Sequence, residues 1–281
     1  MENIDIGNGV TLGVERVGSG PAVLLVGGLG QPAGVWEFTG VSGALVDAGF
    51  EVISYSARGV APSSAPEPPY TVDDLAFDAQ CLLQTLGLDE IIVVGYSMGC
   101  YTTQALVRRQ PGIVRAAVLL AGLQPSPIGE LVGRMELGLL DKYGEIPADV
   151  MTFEQLMTTL QPALLQDPAS VVGWEQVLGA SSEVWTNDAG MRGQLQASYS
   201  WITANEPLPE HLAAFDPPAL VLAFEHDLFF PPVGCRAAAS KMPNAEYAQI
   251  DGVAHGGLFT GQTDTVARIT TFCETNRPAA S

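Results

Sequence analysis

Ile91-Ile92-Val93-Val94-Gly95-Tyr96-Ser97-Met98-Gly99 is the stretch on which the reading of this chain turns. A short run of β-branched residues reads as a buried strand, and it ends at a serine set between two glycines. Residues 100–110 then carry apolar positions at Ala105, Leu106 and Val107 and stop at Pro111-Gly112, which reads as a helix with its terminator. A strand that turns sharply into a helix at such a serine is a nucleophile elbow: the hydroxyl projects from the sheet edge and the first helical amides point back at it. That local geometry suits acyl chemistry. The five-residue pattern is common by chance, so the strand before it and the helix after it carry the inference.

A serine hydroxyl needs a base within reach, and the base needs an orienting group. Three histidines are available. His211 lies in a polar, proline-broken stretch that reads as surface linker. His226 adjoins Asp227 on an element unsuited to the base. His255 follows an apparent strand at residues 245–250, with glycines on both sides that imply a mobile, ligand-facing loop, and it is the expected base. The orienting acid is sought at the end of another buried strand. Residues 218–224 read as that strand, and Glu225-His226-Asp227 follows at its carboxyl end. Asp227 is the expected acid, and Glu225 is the competitor. The order Ser97, Asp227, His255 is the nucleophile, acid, base order of one hydrolase superfamily.

With these residues in place, the chain from about residue 10 to residue 275 resembles the α/β-hydrolase fold superfamily, in its serine esterase, haloperoxidase-like and lactonase group. Val26-Gly27-Gly28-Leu29-Gly30-Gln31 is similar to the family's loop after the third strand, with Trp36 where a tryptophan often follows. Ser56-Ala57-Arg58-Gly59-Val60-Ala61-Pro62-Ser63 resembles its Asp-x-Arg-Gly-x-Gly-x-Ser segment. The resemblance implies an oxyanion hole made by the backbone amides of Leu29 and Met98, and a substrate side drawn from Gly28, Trp36, Tyr96, Trp174 and Trp201. Three departures stand out. Gly27 replaces a histidine, Ser56 and Ala61 replace an aspartate and a glycine, and Phe224 stands where a glycine commonly precedes the acid.

Composition bounds the partners. A formal net charge of −19, from 12 basic and 31 acidic residues, argues against nucleic acid and against anionic membrane surfaces. The four cysteines, Cys81, Cys100, Cys235 and Cys273, form no C-x-x-C pair and are expected to be reduced and buried, with no disulfide framework. No ligand-spaced His/Cys cluster is present, so neither a metal nor a cofactor is expected. Without a basic segment leading into an apolar core near Met1, and without a run of transmembrane length, a cytoplasmic chain is expected. Assembly as a homodimer stays open.

Along the chain, residues 4–17 read as two strands joined at Asn8-Gly9. Strands at 22–26, 50–55, 91–94 and 116–121 alternate with helices at 35–48, at 72–86 with a cap at Thr71, and at 100–110. This predicts an α/β fold with a mostly parallel eight-stranded sheet, helices on both faces, and an all-helical cap insertion. Residues 1–123 and 211–281 form the core, and 124–210 the cap, with helices at 131–143, 152–160, 169–178 and 191–204. The cap's Met135, Leu139, Met157, Trp174, Trp185, Tyr199 and Trp201 suit an apolar pocket.

The leading expectation is a serine hydrolase acting on a carboxylic ester, lactone or thioester of a fairly apolar small molecule. The same residues suit an acyltransferase or cyclase that excludes water, or a carbon–carbon bond hydrolase. A non-enzymatic ligand receptor on the same fold is the alternative of another class. Serine at the elbow argues against the aspartate-dependent dehalogenases and epoxide hydrolases of the superfamily.

Overall fold

The computed structural model describes residues 1–179 and 184–278. Its strands are β1 Glu2–Asp5, β2 Thr11–Gly18, β3 Ala22–Val26, β4 Glu51–Tyr55, β5 Ile91–Tyr96, β6 Val114–Leu120, β7 Ala219–Phe224 and β8 Ala245–Ile250. The helices before β6 are α1 Val35–Phe38, α2 Val41–Asp47, α3 Val72–Leu86 and α4 Met98–Arg109. Between β6 and β7 come α5 Pro127–Tyr143, α6 Ala148–Thr159, α7 Pro162–Leu165, α8 Pro168–Gly179, α9 Asp188–Thr203 and α10 Pro209–Ala213. The chain closes with α11 Pro232–Ala239, α12 Gly257–Thr260 and α13 Gln262–Thr275.

The strands form one 8-stranded sheet in the order β1-β2-β4-β3-β5-β6-β7-β8. Pairs β1/β2 and β2/β4 are antiparallel, and every pair from β4/β3 to β7/β8 is parallel. The chain leaves β3 toward β4 on one side and returns to β5 on the other. The crevice beyond the carboxyl ends of β3 and β5 is therefore the switch point where such sheets place their sites.

Strand periodicity sorts the core into two layers. Val23 and Leu25 of β3 pack with Trp36, Val41 and Leu45 of α1 and α2 and with Ile269 and Phe272 of α13. Leu24 and Val26 pack with Leu75 and Leu82 of α3 and Leu106 of α4. Continuous apolar runs in β3, β5 and β7 follow from burial on both faces.

Local chemistry sets several boundaries. Helix α3 begins at a capping box in which Asp74 N donates to Thr71 Oγ1 at 3.1 Å and Thr71 N donates to Asp74 Oδ2 at 2.9 Å. The single helix expected at residues 35–48 is two, because Gly40, at φ +77°, ends one turn and starts the next. Helices α7 and α10, absent from the sequence reading, are single short turns opened by Pro162 and Pro209 at the first helical position. Residues 180–183 and 279–281 of the expected cap and second core segment lie outside the described residues. No helix among the described residues is long and apolar enough to cross a membrane.

One buried ion pair ties the Arg58 loop to α3. Arg58 Nε donates to Asp78 Oδ2 and its Nη2 to Oδ1, both at 2.6 Å, and Asn8 Nδ2 adds a third donor to Oδ1 at 2.8 Å. The two side chains are 11% and 2% exposed. Removing one partner of such a pair strands the other in low dielectric. Asp78→Ala should therefore cost about 3–5 kcal/mol in urea unfolding; a loss below about 1 kcal/mol would mean that the guanidinium finds solvent and the pair is no tether.

Candidate active site

Ser97 sits between β5 and α4 with φ +53° and ψ −122°, a left-handed backbone that a residue with a Cβ adopts only under constraint. Packing supplies the constraint. A Cβ at Gly95 would lie 2.6 Å from Thr103 Oγ1, and one at Gly99 would lie 2.8 Å from the carbonyl oxygen of Gly27. Both glycines of the motif are thus required by close approach, and α4 is drawn under the end of β3.

The three expected residues meet at the carboxyl end of the sheet. Ser97 Oγ is 3.0 Å from His255 Nε2, and His255 Nδ1 is 2.9 Å from Asp227 Oδ2. Asp227 is 3% exposed and His255 7%, while Ser97 is half-buried. Asp227 is fixed at its other oxygen, where Oδ1 accepts from Phe229 N at 2.8 Å and Phe230 N at 2.9 Å. Glu225, the competitor, is exposed and accepts from Gly252 N at 2.7 Å, so it closes a turn and does not reach the imidazole. The other histidines are elsewhere: His211 Nδ1 contacts Glu206 Oε2 at 2.7 Å, and exposed His226 lies 3.7 Å from Glu225.

Aromatic rings enclose His255. Tyr96 stacks on it with centroids 5.4 Å apart, Phe229 meets it edge-on at 5.0 Å, and Phe230 lies tilted at 5.6 Å. The Tyr96 hydroxyl donates to the His255 carbonyl at 2.6 Å, and burial raises the phenol well above its usual range, so it remains a donor. Tyr96 therefore holds the backbone of His255, which corrects its expected place on the substrate side. The flanking glycines also act differently from the mobile loop expected. A Cβ at Gly256 would sit 2.8 Å from Thr159 O, and one at Gly257 would sit 2.8 Å from the Phe224 ring. Gly256 N donates to Thr159 O at 2.7 Å, so the end of α6 is pinned beside the base. Phe224, the departure before the acid, is accommodated by the missing side chain at Gly257.

The amides of Met98 and Leu29 have no hydrogen-bond acceptor among the described residues. Gly28 carries the loop against the serine, since a Cβ there would lie 3.1 Å from Ser97 Cβ. Two tryptophans depart from the expected pocket lining. Trp36 is 0% exposed in the layer of α1, α2 and α13. Trp201, 6% exposed, stacks on Tyr101 at 5.3 Å under the Arg108 guanidinium at 5.0 Å, because its helix face turns into the α4 layer. Trp174 is half-buried in α8.

Sequence reasoning missed Phe229 and Phe230, whose only signal is adjacency to Asp227, and two glutamines, Gln31 and Gln194, which carry none. It also missed two carboxyls on α5 and α6. Glu136 is 5% exposed, and burial, with the nearby Glu154 charge adding to it, pushes its carboxyl up to about 8. Burial likewise raises Glu154, against a bond from Thr158 and the pull of His255.

A strained serine, imidazole and carboxylate at the switch point of a mostly parallel sheet define a hydrolase of the α/β class. The family model described as alpha/beta hydrolase fold matches residues 21–262, and this chain belongs to that family; it is an enzyme of the hydrolase type. Among its relatives is "Putative non-heme bromoperoxidase BpoC" of Mycobacterium tuberculosis, 28% identical over 253 residues, which span 89% of this chain and 92% of that protein. Solved structures of the same fold include a thermophilic esterase from Thermogutta terrifontis, at 20% identity and TM-score 0.82, covering 99% of this chain and 100% of that one. The enol-lactonase from Burkholderia xenovorans LB400 overlays with TM-score 0.78 at 23% identity, covering 94% and 97%.

The Glu136 carboxyl makes stability pH-dependent. Unfolded, it ionises near its ordinary value of 4.5; folded, it holds its proton to about 8. Between those values the unfolded chain releases a proton that the folded chain keeps, so this group's contribution falls as pH rises through the window and levels off above it. Relative to wild type, Glu136→Gln should gain on the order of 2–4 kcal/mol of stability between pH 5 and pH 8.5. An equal difference at both pH values in chemical denaturation would contradict a neutral, buried Glu136.

Proposed function

We propose that this protein is a serine hydrolase that cleaves a carboxylic ester, lactone or thioester of a fairly apolar small molecule through an acyl-enzyme. The observation that carries the reading is the chain of contacts from Ser97 Oγ to His255 Nε2, 3.0 Å, and from His255 Nδ1 to Asp227 Oδ2, 2.9 Å. Ser97 Oγ attacks the carbonyl carbon while His255 Nε2 takes its proton, and Asp227 stabilises the imidazolium that results. The tetrahedral oxyanion is received by the Leu29 and Met98 amides, each worth about 3 kcal/mol at that stage alone. Collapse expels the alcohol or thiol, which takes the proton from His255. Water, deprotonated by the same imidazole, then attacks the acyl group and restores Ser97.

Support for an apolar substrate comes from the surroundings of the serine. Half-buried Leu29 follows Gly28, which packs on Ser97, half-buried Phe229 meets the His255 ring at 5.0 Å, and the helices before β7 carry partly exposed Met135 and Met157. The esterase and lactonase named among the fold neighbours, and the relative named for bromoperoxidase chemistry, all act in the same superfamily; the carbonyl chemistry of the first two is what the geometry at Ser97 favours. The helical segment after β6 then acts as the cap, and Trp174 and Gly28 stay on the substrate side of the cleft.

A fluorophosphonate probe should label Ser97 by mass spectrometry, and 4-nitrophenyl esters of graded acyl length should be turned over. Ser97→Ala should lose the label and reduce kcat by a factor on the order of 10⁵–10⁶ while keeping its melting temperature. Near-normal turnover by the purified Ser97→Ala protein would remove Ser97 as the nucleophile.

A further inference from the structure

The loop after β3 is glycine-rich, and each glycine adds backbone freedom that a preorganised oxyanion hole cannot tolerate. In residues 27–31 two glutamine side chains remove that freedom. Gln31 closes the turn on itself: its N donates to Gly28 O at 3.2 Å, and its Oε1 accepts from Gly28 N at 2.8 Å. Gln194, 0% exposed on α9, reaches across from the segment that follows β6. Its Oε1 accepts from Gly30 N at 3.0 Å and its Nε2 donates to Arg58 O at 2.8 Å. Arg58 is itself clamped by Asp78. The amides at Gly28, Gly30 and Gln31 are all engaged, and Leu29 N between them has no acceptor among the described residues.

The same contacts account for Gly27. A Cβ there would lie 3.2 Å from Gln31 Cβ and 3.3 Å from Gln31 O, tight enough to push away the side chain that folds back over the loop. Glycine at position 27, where the resembling family has a histidine, therefore leaves Gln31 undisturbed in its folded-back position. Gly30 allows the turn at φ +66°, and Trp185 packs where its side chain would be, with a Cβ only 2.8 Å from the ring.

We propose that Gln31 and Gln194 are positioning residues of the oxyanion hole. By occupying the amides on either side of Leu29 they leave that amide alone to receive the oxyanion beside Ser97. Because Gln194 stands on α9, the hole is complete only while that helix is docked on the Arg58 loop. This rests on the reading of Ser97 as the nucleophile.

Gln31→Met and Gln194→Met keep length and volume while removing the acceptor. With 4-nitrophenyl butyrate, each should lower kcat at least about tenfold and leave KM within about twofold, as expected for an interaction made in the transition state. The acyl-enzyme formed from a slowly deacylating ester with a ¹³C-labelled carbonyl should show its carbonyl stretch at higher wavenumber in both variants, because the bond is less polarised. Wild-type kcat with an unchanged stretch on acylated Ser97 would overturn the proposal, as would a rise in KM alone. Failure of the wild-type protein to form an acyl-enzyme on Ser97 would instead defeat the nucleophile assignment. Should Gln194→Met fail to fold, Gln31→Met, on a half-buried loop side chain, decides.

Discussion

The close approach of α4 to the end of β3 is the contact on which the rest of the site depends. Gly99 lies so near the carbonyls of Val26 and Gly27 that no side chain fits between them. With that backbone contact made, the chain can leave β5 only through the positive φ at Ser97. The strain of such a residue, on the order of 1–3 kcal/mol, is carried by the buried packing of α4, whose residues from Met98 to Val107 are all buried. The same contact brings the Gly28 loop against Ser97. Ser97 and the Gly28 loop are therefore set by one interaction, and the pairing of Val26 with Gly95 in adjacent parallel strands fixes their relative height.

His255 and Asp227 are held by a different logic. Neither is strained; each is saturated with contacts. Asp227 spends one oxygen on two backbone amides and the other on His255, so the carboxylate is held in one orientation from both sides. His255 is fixed from every side by rings, by Tyr96 at its carbonyl, and through Gly256 by α6. Rotation of the imidazole would break the Asp227 contact, which keeps Nε2 on the serine.

What was legible in the sequence was what local chemistry dictates. Residues 72–86 form a helix because Thr71 and Asp74 cap one end and Gly87, at φ +68°, ends the other; both signals lie within the segment. Strand Ala245–Ile250 and the two glycines around Ser97 are local in the same sense. Legibility stopped where contacts are long-range. A tryptophan at position 36 or 201 reads alike whether it lines a cleft or fills a core, and only the helix layer it meets decides. Glycines beside His255 read as mobility, yet Thr159 and Phe224, distant in sequence, make them close-packing residues. Gln194 is 164 residues from Gly30 and gives no periodic or spacing signal at all.

Composition alone also treats residues 124–210 as one helical insertion, but the contacts divide it mechanically. Helix α9 is bound to the rest of the molecule by close approach at its glycines: a Cβ at Gly190 would lie 2.5 Å from Gly59 O, and one at Gly193 2.4 Å from the Tyr70 ring. Asn187 caps it, accepting from Gly190 N at 2.9 Å, and Thr186 Oγ1 donates to Ser63 O at 2.7 Å. Helices α6 and α8 pack mainly on one another and present exposed Phe153, Met157, Val172 and Val177. Displacement is consequently cheaper in α8 than in α9, where it would open the Gly190–Gly59 backbone contact and release Gly30 N, or at the end of α6, where it would release Gly256 N from Thr159 O. The contacts that hold the Gly28 loop and His255 thus fall on α9 and the end of α6, and displacement of α8 leaves both in place.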